Sequence, residues 1–288
     1  MDAAYSQGSE PGVWRFTPGF AFAFAPGWGN VVPFVLSNSA QFRPGPPYAV
    51  ACVDKRNAAH ADNRNGCRKY AADFNEVKAL GADGITTRSA RSAEQTEIAL
   101  FWVESSPLQW NRIARAVAAD KRLDAWQNAR LFGLLNMAMA DGYVASFASK
   151  YQYNYWRPTT AIQLAHADGN PLTGADPGWT PLQPASPTPE YESGHSVQGG
   201  AASQVLRRVL RNDRVAFQAC SLSLPAGSRC NDAAPVLRSF DSFSQAAQEN
   251  GVSRIYVGFH FRKAVAEGIA RGRRIGAHAV DEFMRPLE

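Results

Sequence analysis

Residues 123–150 most constrain what this chain can become. Leu131, Leu134, Leu135, Met137, Ala138, Met139, Val144 and Phe147 put apolar or small residues on most faces of a helix drawn through them. A helix with so little polar surface belongs in a centre, so other elements have to pack around it. Further helical patterns surround it. Residues 68–80 close on Gly81, a C-cap signal. Ser92 and Gln95 form a capping box ahead of Ile98, Ala99, Phe101 and Trp102. Residues 107–119 carry Trp110, Ile113, Ala114 and Val117 at helical spacing, and Pro158 suits the first turn of a new helix. Helices are predicted again over 193–211 and at about 238–250, 252–258 and 260–284, with few strand signals anywhere. The expectation is one all-α domain, residues 68–288, with the long helix at its middle.

The segments between helices are as distinctive. Residues 1–67 hold Pro11-Gly12, Pro18-Gly19, Pro26-Gly27 and Pro44-Gly45, with aromatics from Trp14 to Phe42 in no sustained period. Those aromatics are costly to leave in water, so this stretch reads as a loop-rich N-terminal arm packed on the core with its aromatics buried. Residues 54–66 read as a polar surface excursion. Residues 166–192 form a long loop with six prolines. Within it, the stretch from Asp168 to Asp176 lacks the glycine and terminal glutamate of a calcium loop and reads as a turn. Gly268, Gly272 and Gly276 lie four apart on one face of the last helix, with Arg271, Arg273 and Arg274 between them. That pattern predicts close helix–helix contact in a soluble protein.

At 288 residues and 45% apolar content the chain can bury one large core or two modest ones. No apolar run reaches the about 18 residues of a membrane span, so a soluble protein is expected. The net charge of +5 comes without a Lys/Arg stripe interleaved with aromatics, which argues against a nucleic-acid partner. Four cysteines allow three connectivities. The expected pairing is local, Cys52 with Cys67 and Cys220 with Cys230, which would place the chain in an oxidising, secreted or periplasmic compartment. Four reduced thiols in a cytoplasmic protein are the alternative. Residues 2–12 are small and polar and show no signal peptide.

Three blocks carry chemistry. Pro187–Ser196 ends a proline-rich run at Ser193, Gly194 and His195, just where a helical pattern begins. Ser193 stands at the N-cap, Gly194 lets backbone approach a ligand, and a helix start attracts anions. His195 can move a proton near neutral pH. The second block has Lys150, six residues, then Arg157 and Pro158; the third has Ser253 and Arg254, five residues, then His260. At an effective dielectric near 20, each of the three cations could attract a charge about 4 Å away by roughly 4 kcal/mol. Gathering them would be unfavourable without a multiply charged anion, and the planar fork of arginine suits tetrahedral oxyanions. On an unbroken helix Arg254 and His260 would point about 120° apart, so a break at Gly258 is expected.

In this order and at these spacings the blocks resemble the signature of the type 2 phosphatidic-acid phosphatase and vanadium-dependent haloperoxidase superfamily. The resemblance implies a helical bundle of the haloperoxidase and acid phosphatase type. It also implies an oxyanion pocket built by Lys150, Arg157, Ser193, Gly194 and Arg254. In the phosphatases the residue matching His260 attacks phosphorus and the one matching His195 protonates the leaving group. In the haloperoxidases the residue matching His260 ligates vanadium in a bound vanadate, and the one matching His195 serves as acid–base while hydrogen peroxide oxidises halide. Ile98–Trp102, Trp110–Ala114, Tyr155–Ile162 and Phe259–Arg262 resemble soluble bacterial haloperoxidase-like proteins. The expected function is a vanadate-dependent haloperoxidase, with hydrogen peroxide and halide as substrates and His260 as the metal ligand. An acid phosphatase acting on a phosphomonoester, or a non-catalytic oxyanion-binding protein, are the alternatives. Three positions depart from the superfamily pattern. Glu192 replaces a proline and adds a negative charge near the site. Thr188 stands where chloroperoxidases and bromoperoxidases carry Phe and His. Ala264 replaces an aspartate that orients the histidine, leaving a backbone carbonyl or Glu267 to do so.

Overall fold

The computed structural model describes residues 4–52 and 61–285. Residues 54–60 of the expected polar excursion lie outside the described residues. Its remainder is the start of α1, Ala61–Leu80, which begins earlier than the pattern from residue 68 suggested. Gly81 closes α1 by donating its N–H to the Val77 carbonyl at 2.7 Å.

The apolar stretch forms α4, Ala125–Tyr153, after α2, Ala93–Phe101, and α3, Ser106–Asp120. Both α2 and α4 start with a complete capping box, Ser92 with Gln95 and Asp124 with Gln127, so two otherwise orphaned N–H groups are satisfied at each start. By length and composition α4 could cross a membrane, but most of it is buried within the protein. Leu131, Leu134, Leu135 and Ala138 have no exposed surface and share one cluster with Trp102, Trp110, Val197 and Val205. A short helix, α5 at Pro158–Gln163, begins on its proline. Next along the chain come α6, Gly194–Val209, a two-stranded antiparallel ribbon of β1, Phe217–Ala219, and β2, Arg238–Phe240, then α7, Phe243–Tyr256, and α8, Arg262–Glu282.

The glycine face of α8 lies directly on α6. A Cβ on Gly272 would fall 2.0 Å from the Val197 carbonyl oxygen, and one on Gly276 would fall 2.5 Å from that of Ala201. This contact fixes the first half of α6 against the middle of α8. Two helices expected at about 238–250 and 252–258 are instead one. Residues 238–240 are strand, and Gly251 does not break α7; it makes room for Ile269 of α8, whose Cδ1 would sit 2.6 Å from an added Cβ. The break does fall at Gly258, with φ +85°, between α7 and α8.

Residues 4–52 run over the surface of the helices. Trp14 is fully buried and its N–H donates to the Asn154 carbonyl at 2.8 Å. Asp141, buried on α4, accepts the N–H groups of Phe34, Val35 and Leu36 at 2.7, 2.7 and 2.9 Å, which clamps the segment down. The expectation that its aromatics are buried is only partly met. Phe20, Phe22, Phe24 and Phe34 are exposed, because what anchors this segment is mainly backbone, and Phe24 and Phe34 face cavities instead of the core. Two disulfides, Cys52–Cys67 and Cys220–Cys230, join the local pairs with Cα separations of 5.2 and 5.1 Å. They are consistent with an extracellular or periplasmic location. At Asp168 the carboxylate accepts from the Asn170 N–H and the Thr173 hydroxyl at 2.8 and 2.7 Å, a self-contained turn.

Candidate active site

Helix termini converge on one cavity of about 310 Å³. Lys150 occupies the last turn of α4, Arg157 caps the start of α5, Gly194 and His195 open α6, and Arg254 lies in the last turn of α7. His260 sits in the break between α7 and α8. All six residues line the cavity, with Phe24, Tyr143, Phe147, Thr188 and Phe259 among the other walls. Ser193 is not on the wall. It is the buried N-cap of α6, and its Oγ accepts from the N–H and hydroxyl of Ser196 at 3.3 and 2.9 Å.

The cations are buried and held by carbonyls. Lys150 Nζ donates to Pro189 O and Glu190 O at 2.8 and 3.0 Å. Arg157 donates from Nε to the Thr188 carbonyl at 2.8 Å, from Nη2 to the Thr188 hydroxyl at 2.7 Å, and from Nη1 to the Phe259 carbonyl at 3.0 Å. Arg254 Nε donates to Ser253 Oγ at 3.1 Å and its guanidinium lies over the Phe259 ring, but its Nη2 is buried with no partner. Burial, and then mutual repulsion, pulls these groups down: Arg157 to about 10 by burial, and Arg254 to about 9 by burial and the charge of Arg157. Lys150 falls well below its ordinary value for the same two reasons, opposed by Glu190 and Glu192.

The two histidines are placed differently. His260 Nε2 lies 3.2 Å from Arg157 Nη1 and Nδ1 lies 3.0 Å from Glu190 Oε1. Arginine can only donate, so Nε2 is the acceptor and Nδ1 carries the proton that Glu190 receives. The imidazole is therefore neutral, with its Nε2 lone pair towards the cations. Burial and the charges of Arg157, Lys150 and Arg254 hold it well below its ordinary pKa. His195 Nε2 lies 3.2 Å from the Glu104 carbonyl. Burial and Arg254 lower it to about 3, against the opposing pull of that carbonyl.

The carboxylate that orients His260 is Glu190, where the sequence reading offered a backbone carbonyl or Glu267. Glu190 also accepts the Phe261 N–H at 2.9 Å, while Glu267 pairs with Lys263 at 3.0 Å. The only sequence signal was a carboxylate five residues before His195, and it acts on a histidine seventy positions away. Burial raises Glu190 to about 7, opposed by Lys150 and Arg157. Glu192, which looked like a charge at the site, forms a buried ion pair with Arg271 and is absent from the cavity wall. Arg271 also donates to Ser149 Oγ at 2.7 Å and to the Ser39 and Gln41 carbonyls at 2.8 and 3.2 Å. Ala264 supplies only its carbonyl, to the Ser193 N–H at 3.2 Å.

Three buried cations around one neutral imidazole and a helix start suit an oxyanion. Among the described residues no group of three or more His, Cys, Asp or Glu could hold a bare metal ion. The unsatisfied Arg254 Nη2 fits an oxyanion guest.

Comparison with known proteins bears on the family and the fold. The family model described as the VCPO second helical-bundle domain matches residues 130–288. Vanadium chloroperoxidase of Curvularia inaequalis is 28% identical over 237 residues, covering 64% of this chain and 38% of that protein. The crystal structure described as the first bacterial vanadium-dependent iodoperoxidase superposes with a TM-score of 0.74 at 32% identity, over 96% of this chain and 62% of that one. A holo-type bacterial vanadium-dependent chloroperoxidase shares the fold, with a TM-score of 0.69 at 17% identity over 96% and 63% of the two chains. The chain thus spans less than two thirds of the length of each of these relatives.

Proposed function

The chain belongs to the vanadium haloperoxidase family, and from that premise we propose that it is a vanadate-dependent haloperoxidase oxidising halide with hydrogen peroxide in the cation-lined cavity. The observation that carries the reading is the unpaired, buried Arg254 Nη2 in a cavity that also presents Lys150, Arg157 and the unprotonated Nε2 of His260. Lys150, Arg157 and Arg254 would hold vanadate oxygens by charge, with the Gly194 N–H at the start of α6 adding a hydrogen bond and Ser193, behind the wall, capping that helix start. His260 would be the single protein ligand to vanadium, its Nδ1–H fixed on Glu190. Bound vanadate would supply a Lewis-acid centre for activating peroxide.

His195 is the group placed to move a proton. Burial, and then the charge of the cations, keeps it neutral; an anion beside them would offset that charge and make its protonation easier. The overall balance needs one proton: peroxide, halide and that proton give hypohalous acid and water.

The test is peroxide-dependent bromination with and without added vanadate, run beside hydrolysis of a generic phosphomonoester. Hydrolysis without bromination would replace this reading with the phosphatase one; tight phosphate binding with neither activity would leave an oxyanion-binding protein. Vanadate calorimetry assigns the histidines. His260→Ala should lose most affinity, while His195→Ala should keep it and slow turnover by about 10² to 10⁴. Equal loss in both would show the division of roles to be wrong.

A further inference from the structure

The ring of His195 is held from outside the oxyanion cavity. His195 follows Gly194 at the start of α6, and among the described residues its ring makes one hydrogen bond, from Nε2 to the Glu104 carbonyl at 3.2 Å. A carbonyl oxygen can only accept, so Nε2 carries the imidazole proton and the lone pair is left on Nδ1. His260 is the reverse, with its proton on Nδ1. The two neutral histidines of the cavity therefore hold opposite tautomers. What fixes that of His195 is where the Glu104 carbonyl points.

Glu104 lies in the turn between α2 and α3, and its main-chain bonds leave that turn. Its N–H donates to Ser223 Oγ at 3.1 Å, while its carbonyl takes His195. The side chain is an anchor. Its buried carboxylate accepts from both terminal nitrogens of Arg112 and from the Leu222 N–H at 2.9 Å. Burial works against its charge, but the bonds from Arg112 and Leu222 outweigh it and hold Glu104 below the usual carboxylate range. Arg112 also donates to the Cys220 carbonyl at 3.2 Å. Residues 220–223 thus grip both the turn and its ion pair, and they open the loop closed by Cys220–Cys230. That loop is itself fixed. The Cys230 N–H donates to the Ser221 carbonyl at 3.1 Å, and the Ser221 and Ser223 hydroxyls donate to the Phe101 and Leu100 carbonyls at the end of α2, each at 2.7 Å. Neither Glu104, Arg112 nor residues 220–223 line the oxyanion cavity, so the cluster touches the site only through the carbonyl.

We propose that Glu104 is a positioning residue for His195: its carbonyl, aimed by the Arg112 ion pair and the Cys220–Cys230 loop, holds the imidazole proton on Nε2 and leaves Nδ1 to exchange protons. The inference rests on the reading of His195 as the group that moves the proton. When Nδ1 takes a proton, the Nε2–H bond to the carbonyl becomes charge-assisted, which stabilises the imidazolium. The Nε2 proton stays in place; only the proton on Nδ1 arrives and leaves.

The first experiment needs no change to the cluster. Nitrogen NMR of histidine-labelled protein near neutral pH, with the His195 ring assigned by its loss in His195→Gln, should show Nε2 protonated and Nδ1 bare. The second loosens the anchor. Glu104→Ala leaves Arg112, whose side chain is 23% exposed, able to turn to water, whereas Glu104→Gln keeps an oxygen for the Leu222 N–H. In Glu104→Ala the Nδ1-protonated tautomer should appear. The kcat of the vanadate-loaded protein should fall by about tenfold or more, while phosphate affinity changes by less than about twofold. Glu104→Gln should recover most of both the tautomer and kcat. Ser223→Ala, which releases the Glu104 N–H but keeps the ion pair, should move both readouts the same way by less. A proton on Nδ1 in wild type would overturn the proposal. So would an unchanged tautomer in folded Glu104→Ala, or in Ser223→Ala where only that variant folds. Phosphate affinity falling as far as kcat would overturn it too, by showing general damage to the pocket. Tautomers as expected in a protein without peroxidase activity would keep Glu104 as the anchor and remove the halide-oxidation reading instead.

Discussion

Glu190 gives the sharpest test of how the pocket works. Its Oε1 takes the Nδ1–H of His260 at 3.0 Å and the Phe261 N–H at 2.9 Å, and its Oε2 has no partner. Glu190→Gln keeps the shape and leaves an amide oxygen able to accept from both. It exchanges charge-assisted bonds for neutral ones, a difference of about 1 to 1.5 kcal/mol. That corresponds to roughly a tenfold smaller preference for the tautomer with Nε2 free. Glu190→Ala removes the acceptor altogether. Phosphate, held by charge alone, should not suffer in either variant, since each removes a negative charge from beside Lys150 and Arg157. Vanadate, which would also need the Nε2 lone pair, should weaken relative to phosphate by about tenfold in Glu190→Gln and by more in Glu190→Ala. Calorimetry with both anions measures the ratio, and nitrogen NMR of the His260 ring reads the tautomer without any activity. Equal changes for the two anions, or an unaltered tautomer in Glu190→Ala, would refute the reasoning.

Two further outcomes follow from buried charge. Arg254 is fully buried among like charges, so Arg254→Met should leave the unliganded protein as stable or more stable in urea denaturation, while abolishing the stabilisation that phosphate gives wild type, about 2.7 kcal/mol at 100 times its Kd. A loss of more than about 1 kcal/mol without phosphate would contradict this. Burial raises Asp73 from 3.8 to about 6, against the pull of the Lys263 N–H, so the folded state holds its proton more tightly than the unfolded chain. Stability should therefore fall as pH rises from about 4 through about 6, by up to about 3 kcal/mol, then level off; Asp73→Asn should flatten that part of the urea-denaturation profile, and an unchanged slope would rule Asp73 out as its source.

Much of the architecture was legible because it depends on local signals. The all-round apolar run of α4 had to be central, and the capping box at Ser92 marks a real helix start. The glycine face of α8 meant close contact, and the contact is with α6. What the sequence hid was long-range pairing. Glu190 reaches His260, and Glu192 turns away to Arg271; neither partner is near in sequence. Two helices were expected where α7 is one; Gly251 lies between the two expected ranges, and its missing side chain makes room for Ile269. The exposed phenylalanines were misjudged for a related reason. Composition says that aromatics seek cover, but the backbone of residues 34–36 is held by a single buried carboxylate, so the side chains are free to line cavities.

The same geometry explains why the three blocks could be recognised at all. Each cation lies within one turn of a helix terminus or at a cap: Lys150 at the end of α4, Arg157 at the start of α5, Arg254 at the end of α7. Terminal positions are fixed by capping residues such as Asn154, in the left-handed conformation after α4, and Pro158 at the first turn of α5. A cation in mid-helix could be moved by one residue and point to another face. A cation tied to a cap cannot shift without moving the helix end, so its spacing to the next cap stays fixed along the chain. Burying three such charges works against the fold unless carbonyls hold them, and Pro189, Glu190, Thr188 and Phe259 do so for Lys150 and Arg157. Arg254 keeps one donor uncommitted. That donor is the part of the arrangement that folding leaves unsatisfied, and an oxyanion in the cavity is the guest whose chemistry would satisfy it.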